Sequence, residues 1–139
     1  MNALKRSRLK SPWVFQLNTG SCNGCDIEIV AALAPRYDIE QLGCQLVGTP
    51  RHADVLLVTG PMTRQMVKRA MRVYDQVPEP KVVVAIGACA ISTGPFFGSD
   101  MVEGPVDRLL PVDAYVPGCP PSPDAIMEGV VMAISKKYG

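Results

Sequence analysis

Two nearly unbroken apolar runs constrain this chain more than any other feature. Residues 53–59 read Ala-Asp-Val-Leu-Leu-Val-Thr, and residues 81–86 read Lys-Val-Val-Val-Ala-Ile. Runs of this length without polar alternation belong to strands buried on both faces, as in parallel sheets covered by helices. Gly60-Pro61 breaks the first run. Residues 63–77 then place Val67, Ala70, Met71 and Tyr74 on one face at helical spacing, with Arg64, Lys68 and Arg72 elsewhere.

The remaining segments fit the same alternation. Residues 13–17 predict a short buried strand, residues 25–34 a helix ended by Pro35, residues 37–47 a weaker strand region, and residues 114–116 a last strand. Ser122 predicts an N-cap for a final helix with Pro123 at its first position, whose Ile126, Val130, Ala133 and Ile134 face the core. Residues 91–112 hold Gly94, Pro95, Gly98, Gly104, Pro105 and Pro111, and predict a long irregular segment. The expected fold is α/β, a mostly parallel sheet with helices on both faces.

Composition narrows the function classes. The 139 residues suffice for one domain with a real core, expected over residues 12–139, and 47% are hydrophobic. A net charge of +1 argues against a nucleic-acid partner. No apolar run approaches the length of a membrane span. Residues 1–11 are expected to be a flexible basic arm, either solvated or docking on an acidic or membrane-bound partner. No apolar signal core follows Lys5, Arg6, Arg8 and Lys10, so a cytoplasmic location is expected. In that reducing setting the five cysteines read as metal ligands, catalytic groups or buried packing, and not as disulfides.

Four of the cysteines share a context. Cys22 and Cys25 lie in Thr19-Gly20-Ser21-Cys22-Asn23-Gly24-Cys25, just after the first strand. Cys89 follows residues 81–86 through Gly87-Ala88, and Cys119 follows residues 114–116 through Pro117-Gly118. Ligands in such sheets bind beyond the carboxyl ends of the strands. Parallel strands would therefore bring the four thiols together. Four thiolates suit zinc or an iron–sulfur cluster. Two isolated ligands on separate loops favour a cluster over a zinc staple, which takes two close pairs. A redox Cys-x-x-Cys would explain Cys22 and Cys25 alone. Gly20, Gly24, Gly87 and Gly118 are expected to let the backbone come close to the sulfurs. Cys44 lies inside a strand region and is read as packing. An FMN-binding flavodoxin finds no support, because cysteines fill the loop after the first strand.

Gly20-Ser21-Cys22-Asn23-Gly24-Cys25-Asp26-Ile27-Glu28, Gly87-Ala88-Cys89-Ala90 and Val116-Pro117-Gly118-Cys119-Pro120-Pro121 together resemble the small subunits of NiFe hydrogenases and the related cluster-bearing subunit of respiratory complex I. Arg36-Tyr37-Asp38 and Arg51-His52-Ala53-Asp54-Val55 resemble the shared pattern too. The resemblance covers the chain from about Trp13 onward. It implies a flavodoxin-like domain and one 4Fe-4S cluster on Cys22, Cys25, Cys89 and Cys119. Complex I subunits have the first two cysteines adjacent. The two-residue gap here resembles hydrogenases.

The chain is short and has no twin-arginine signal, which resembles the small subunit of a membrane-bound, energy-converting hydrogenase on the cytoplasmic side of the membrane. The resemblance implies an electron relay from ferredoxin, through a polyferredoxin-like subunit, to the nickel–iron site of a separate large subunit, with antiporter-like membrane subunits coupling the reaction to ion pumping. The competing expectations are a complex I-like subunit of a quinone- or sulfur-reducing module without nickel, and a structural zinc protein. Glu28 is a candidate for proton transfer at the large-subunit interface, though helix-dipole compensation explains a carboxylate there equally simply. His52 is read as a loop histidine without a role. Arg64, Lys68, Arg69 and Arg72 are read as a solvated face.

Overall fold

A computed structural model describes residues 3–138. Five strands form one all-parallel sheet: β1 (Trp13–Asn18), β2 (Gln45–Leu46), β3 (Val55–Thr59), β5 (Val82–Ile86) and β7 (Ala114–Val116), in the order β2-β1-β3-β5-β7. This is the flavodoxin-like order, with its topological switch point between β1 and β3. A separate antiparallel pair joins β4 (Met62–Thr63) to β6 (Val102–Gly104). The two central strands, β3 and β5, are buried at every position, as their apolar runs require.

Helices cover both faces. On one, α2 (Gly24–Leu33) and α5 (Pro123–Tyr138) pack Ile29, Ile126, Val130, Ala133 and Ile134 against Val14, Val55, Leu57, Val82 and Val84. On the other, α3 (Val67–Gln76) and α4 (Ala88–Ser92) bring Ala70 and Ala90 against Leu17, Leu56, Val58, Val83 and Ala85. The alternation is that of a pleated strand: Val14, Val55 and Val82 face one layer, while Leu56 and Val83 face the other. Ser122 caps α5 as expected, its hydroxyl accepting from Ala125 N–H at 3.3 Å.

Several expectations are corrected. The stretch expected as an arm contains a helix, α1 (Ala3–Lys10), whose Leu9 packs against the α2/α5 layer. Residues 37–47 contain a 3-10 turn, Ile39–Leu42, bounded by Asp38 and Gly43 in left-handed conformations, with only Gln45–Leu46 in the sheet. Thr63 belongs to a strand, because its hydroxyl donates to Thr19 C=O at 2.9 Å and Arg64 N–H donates to Met101 C=O; α3 therefore starts at Val67. Val67, Ala70 and Tyr74 face the core as expected, with Val73 beside them, whereas Met71 is exposed. The irregular segment contains β6 and two 3-10 turns, Gly94–Phe96 and Val106–Arg108. Val106 and Leu110 anchor it to the core.

Candidate metal centre

Three strand ends deliver the cysteines. Cys22 lies in the loop after β1 and Cys25 in the first turn of α2. Cys89 opens α4 directly after β5, and Cys119 follows β7. Backbone hydrogen bonds fix these loops to one another. Gly87 N–H donates to Val116 C=O and Ala88 N–H to Gly118 C=O, both at 2.8 Å, so the Cys89 turn lies against the Cys119 loop. The first loop reaches the last one at Gly24: a Cβ there would lie 3.6 Å from Cys22 Sγ and 3.9 Å from Pro120.

Cys25 and Cys89 are buried, and Cys22 and Cys119 are exposed. Burial, followed by the charges of Cys89, Cys22, Asp26 and Cys119, pushes the Cys25 thiol up to about 11. Burial also pushes the Cys89 thiol up, with Cys119 and Cys22 adding to the effect. Each of the four thus enters the electrostatics of another. Among the described residues, no three His, Cys, Asp or Glu groups are gathered closely enough to hold a single metal ion.

The backbone is shaped around the buried sulfurs. Gly87 has φ +91° and ψ 158°, a region open essentially to glycine alone, and a Cβ there would lie 2.5 Å from Cys25 Sγ. Gly94 repeats the arrangement at Cys89, whose Sγ would lie 3.3 Å from an added Cβ. Between Cys89 and Gly94, Thr93 takes φ +64° and donates its N–H to Cys89 C=O at 2.9 Å, closing a tight turn around the cysteine.

Two groups here escape a reading of the sequence. Gly94 sits in the segment expected to be irregular. Asp26 stands inside the quoted motif yet carries no predicted role, although it accepts hydrogen bonds from Gln16 Nε2, Asn18 Nδ2, Ser21 Oγ and Thr59 Oγ1. The available signal was Gln16 and Asn18, two polar residues on the core-facing side of a buried strand.

The other singled-out residues stand apart. Cys44 is buried in the α2/α5 layer, and burial pushes its thiol up to about 11. His52 is exposed and meets Trp13 edge-on, with ring centroids 6.4 Å apart. Glu28 is half-buried on α2, one turn past Cys25. Of the basic groups on and before α3, Arg64 pairs with Glu103 at 3.2 Å, while Lys68, Arg69 and Arg72 are exposed.

The family described as NADH ubiquinone oxidoreductase, 20 Kd subunit, matches residues 22–133. The probable membrane-bound hydrogenase subunit mbhJ of Pyrococcus furiosus is 60% identical over 91% of this chain and 76% of its own length. Formate hydrogenlyase subunit 7 of Escherichia coli is 45% identical over 95% of this chain, which spans 53% of that protein. A solved chain of the membrane-bound sulfane sulfur reductase, an archaeal respiratory membrane complex, superposes with a TM-score of 0.84 and 33% identity. That match covers 97% of this chain and 75% of the solved one. These relatives are subunits of oxidoreductase complexes. Among the described residues, no helix is long and apolar enough to cross a membrane.

Proposed function

The chain belongs to the family of the NADH ubiquinone oxidoreductase 20 Kd subunit, and from that premise we propose that it is the electron-transfer small subunit of a membrane-bound, energy-converting NiFe hydrogenase. The observation that carries this reading is that Cys22, Cys25, Cys89 and Cys119 follow the ends of three parallel strands of one sheet, near enough for their charges to act on one another. The 60% identity to a hydrogenase subunit supports it.

In this reading the four cysteines hold one 4Fe-4S cluster. The donor set fits, being four thiols from three strand ends. The backbone at Gly87 and Gly94 also fits, because it leaves the space beside Cys25 and Cys89 free of side chain. A cluster bound there supplies one-electron transfer between a ferredoxin-fed, polyferredoxin-like subunit and the nickel–iron site of the large subunit. Cys25 and Cys89 give up raised thiol protons on binding, so loading releases protons and is favoured as pH rises. Cys22 and Cys119 are exposed, so a cluster held there would need a covering partner to exclude water. Shortly after Cys25, Ile27 and Val30 stand 64% and 59% exposed on α2, an apolar strip suited to the large catalytic subunit. Membrane attachment falls to the antiporter-like subunits, with this chain peripheral on the cytoplasmic side.

Iron, sulfide and zinc analysis of the purified full chain, with EPR of the reduced protein, tests the site. Four irons and four sulfides per chain, with a signal on reduction, are expected. Zinc without a signal overturns the reading in favour of a structural zinc protein.

A second reading is favoured by the likeness to the sulfane sulfur reductase chain: the same relay in a module without nickel. Nickel analysis of the purified complex separates the two. Nickel with hydrogen evolution supports the hydrogenase, and a nickel-free complex that reduces sulfane sulfur supports the alternative.

A further inference from the structure

Asp26 occupies the third position of α2, where a carboxylate ordinarily serves the helix dipole or reaches back to the N-cap. Its oxygens are engaged otherwise. Oδ1 accepts from Gln16 Nε2 and from Thr59 Oγ1 at 2.8 Å; Oδ2 accepts from Asn18 Nδ2 at 2.5 Å and Ser21 Oγ at 3.0 Å. Gln16 and Asn18 come from β1, Thr59 ends β3, and Ser21 lies in the loop before Cys22. The network continues into that loop. Asn18 Oδ1 accepts from Gly20 N–H and Ser21 N–H, both at 2.8 Å, and Ser21 Oγ accepts from Asn23 N–H at 3.3 Å. The loop from Asn18 to Asn23 thus hangs on one carboxylate.

All four donors are neutral side chains. They hold the carboxylate without cancelling its charge, and it directly follows the buried Cys25 in the chain. We propose that Asp26 is a positioning residue with an electrostatic function: it fixes the Cys22–Cys25 loop and keeps one uncompensated negative charge beside the cluster, lowering its reduction potential. The proposal rests on the four cysteines being the cluster ligands. A cluster gains a negative charge on reduction, so a fixed neighbouring carboxylate disfavours the reduced form, and net charge is one of the levers on such potentials.

Three variants of the full chain, loaded with cluster and titrated potentiometrically with EPR detection, test this. Asp26→Asn removes the charge. Gln16→Lys leaves the carboxylate but sets a cation against it. Thr59→Val deletes one donor and leaves the charge. At the wild-type midpoint, Asp26→Asn and Gln16→Lys are expected to raise the reduced-to-oxidised ratio about tenfold, equivalent to about 59 mV for a one-electron couple. Thr59→Val is expected to stay within about twofold of wild type, since it alters geometry without altering charge. An intact cluster with an unchanged ratio in Asp26→Asn overturns the proposal, as does a Thr59→Val shift as large as that of Asp26→Asn. Where Asp26→Asn takes up no cluster, Gln16→Lys decides. Loss of cluster in both, with retention in Thr59→Val, overturns the electrostatic function. A wild-type chain that takes up no iron and sulfide overturns the cysteine assignment itself, and this proposal with it.

Discussion

Gly87 and Cys25, 62 positions apart in sequence, are packed so closely that a Cβ on Gly87 would lie 2.5 Å from Cys25 Sγ. The contact joins the end of β5 to the start of α2 across the sheet edge, and the positive φ of Gly87 makes it. It ties the loop holding Cys25 to the turn holding Cys89, the two buried thiols of the site.

Gly87→Ala should therefore damage the site more than the fold. The backbone strain costs about 1–3 kcal/mol, and the new methyl must displace Cys25 Sγ or the turn. The expected outcome is a folded chain, unchanged by far-UV circular dichroism, with less than about half the wild-type iron content, because shifting one ligand misaligns the set. Wild-type iron content in Gly87→Ala would remove the role assigned to this contact.

The sheet was legible because β3 and β5 are buried on both faces and leave an unbroken apolar trace, and because α5 carries Ile126, Val130, Ala133 and Ile134 at helical spacing. The cysteines were legible as strand-end residues once the strands were placed. Other features were hidden for stated physical reasons. Residues 37–47 read as strand from their apolar content, yet Asp38 and Gly43 take left-handed conformations and turn the chain. Met71 matched the helical period but lies one step outside the stripe that faces the core, since a ten-residue helix leaves its phase loosely defined by sequence. Asp26 drew no expected role, because its partners on β1 and β3 are brought to it only by the fold.

Cys44 gives a pH dependence separable from the metal site. Its thiol rises from 9.0 to about 11 through burial. Below the unfolded value, both states keep the proton. Between the two values the unfolded chain releases it while the folded chain holds it, so the contribution to stability is present below pH 9 and is lost as pH rises towards 11. The loss is at most about 3 kcal/mol, at about 1.4 kcal/mol per pH unit. Cys44→Ala should cost about 1 kcal/mol at neutral pH through lost packing and retain full iron content. Urea unfolding of both proteins at about pH 8 and about pH 10.5 should show the gap between them shrinking or reversing. A constant gap removes the thiol as the cause.

The N-cap of α5 gives a second test of local stability close to Cys119. Ser122→Ala removes the acceptor of Ala125 N–H and should lower stability by about 1 kcal/mol. Ser122→Asp should recover most of it, since a carboxylate also accepts there and favours the helix N-terminus. Urea midpoints of the three proteins check the order. A Ser122→Asp midpoint as low as that of Ser122→Ala would show that the hydrogen bond is not what holds the helix start.

The last prediction concerns how the site meets its partner. Ile27 and Val30 lie three residues apart on the exposed face of α2, beginning two residues after Cys25. Their side chains make little contact within this chain, so their replacement should leave the fold nearly unchanged, within about 0.5 kcal/mol. In an interface core, burying an unpaired charge costs several kcal/mol. Ile27→Glu is thus expected to keep its urea midpoint and its iron content while losing the large catalytic subunit on affinity purification of the complex. Ile27→Leu should retain that subunit, because it preserves the apolar contact. Full recovery of the large subunit with Ile27→Glu would place the interface elsewhere on the chain, and an equal loss with Ile27→Leu would mean that the two proteins fit by shape more than by apolar burial.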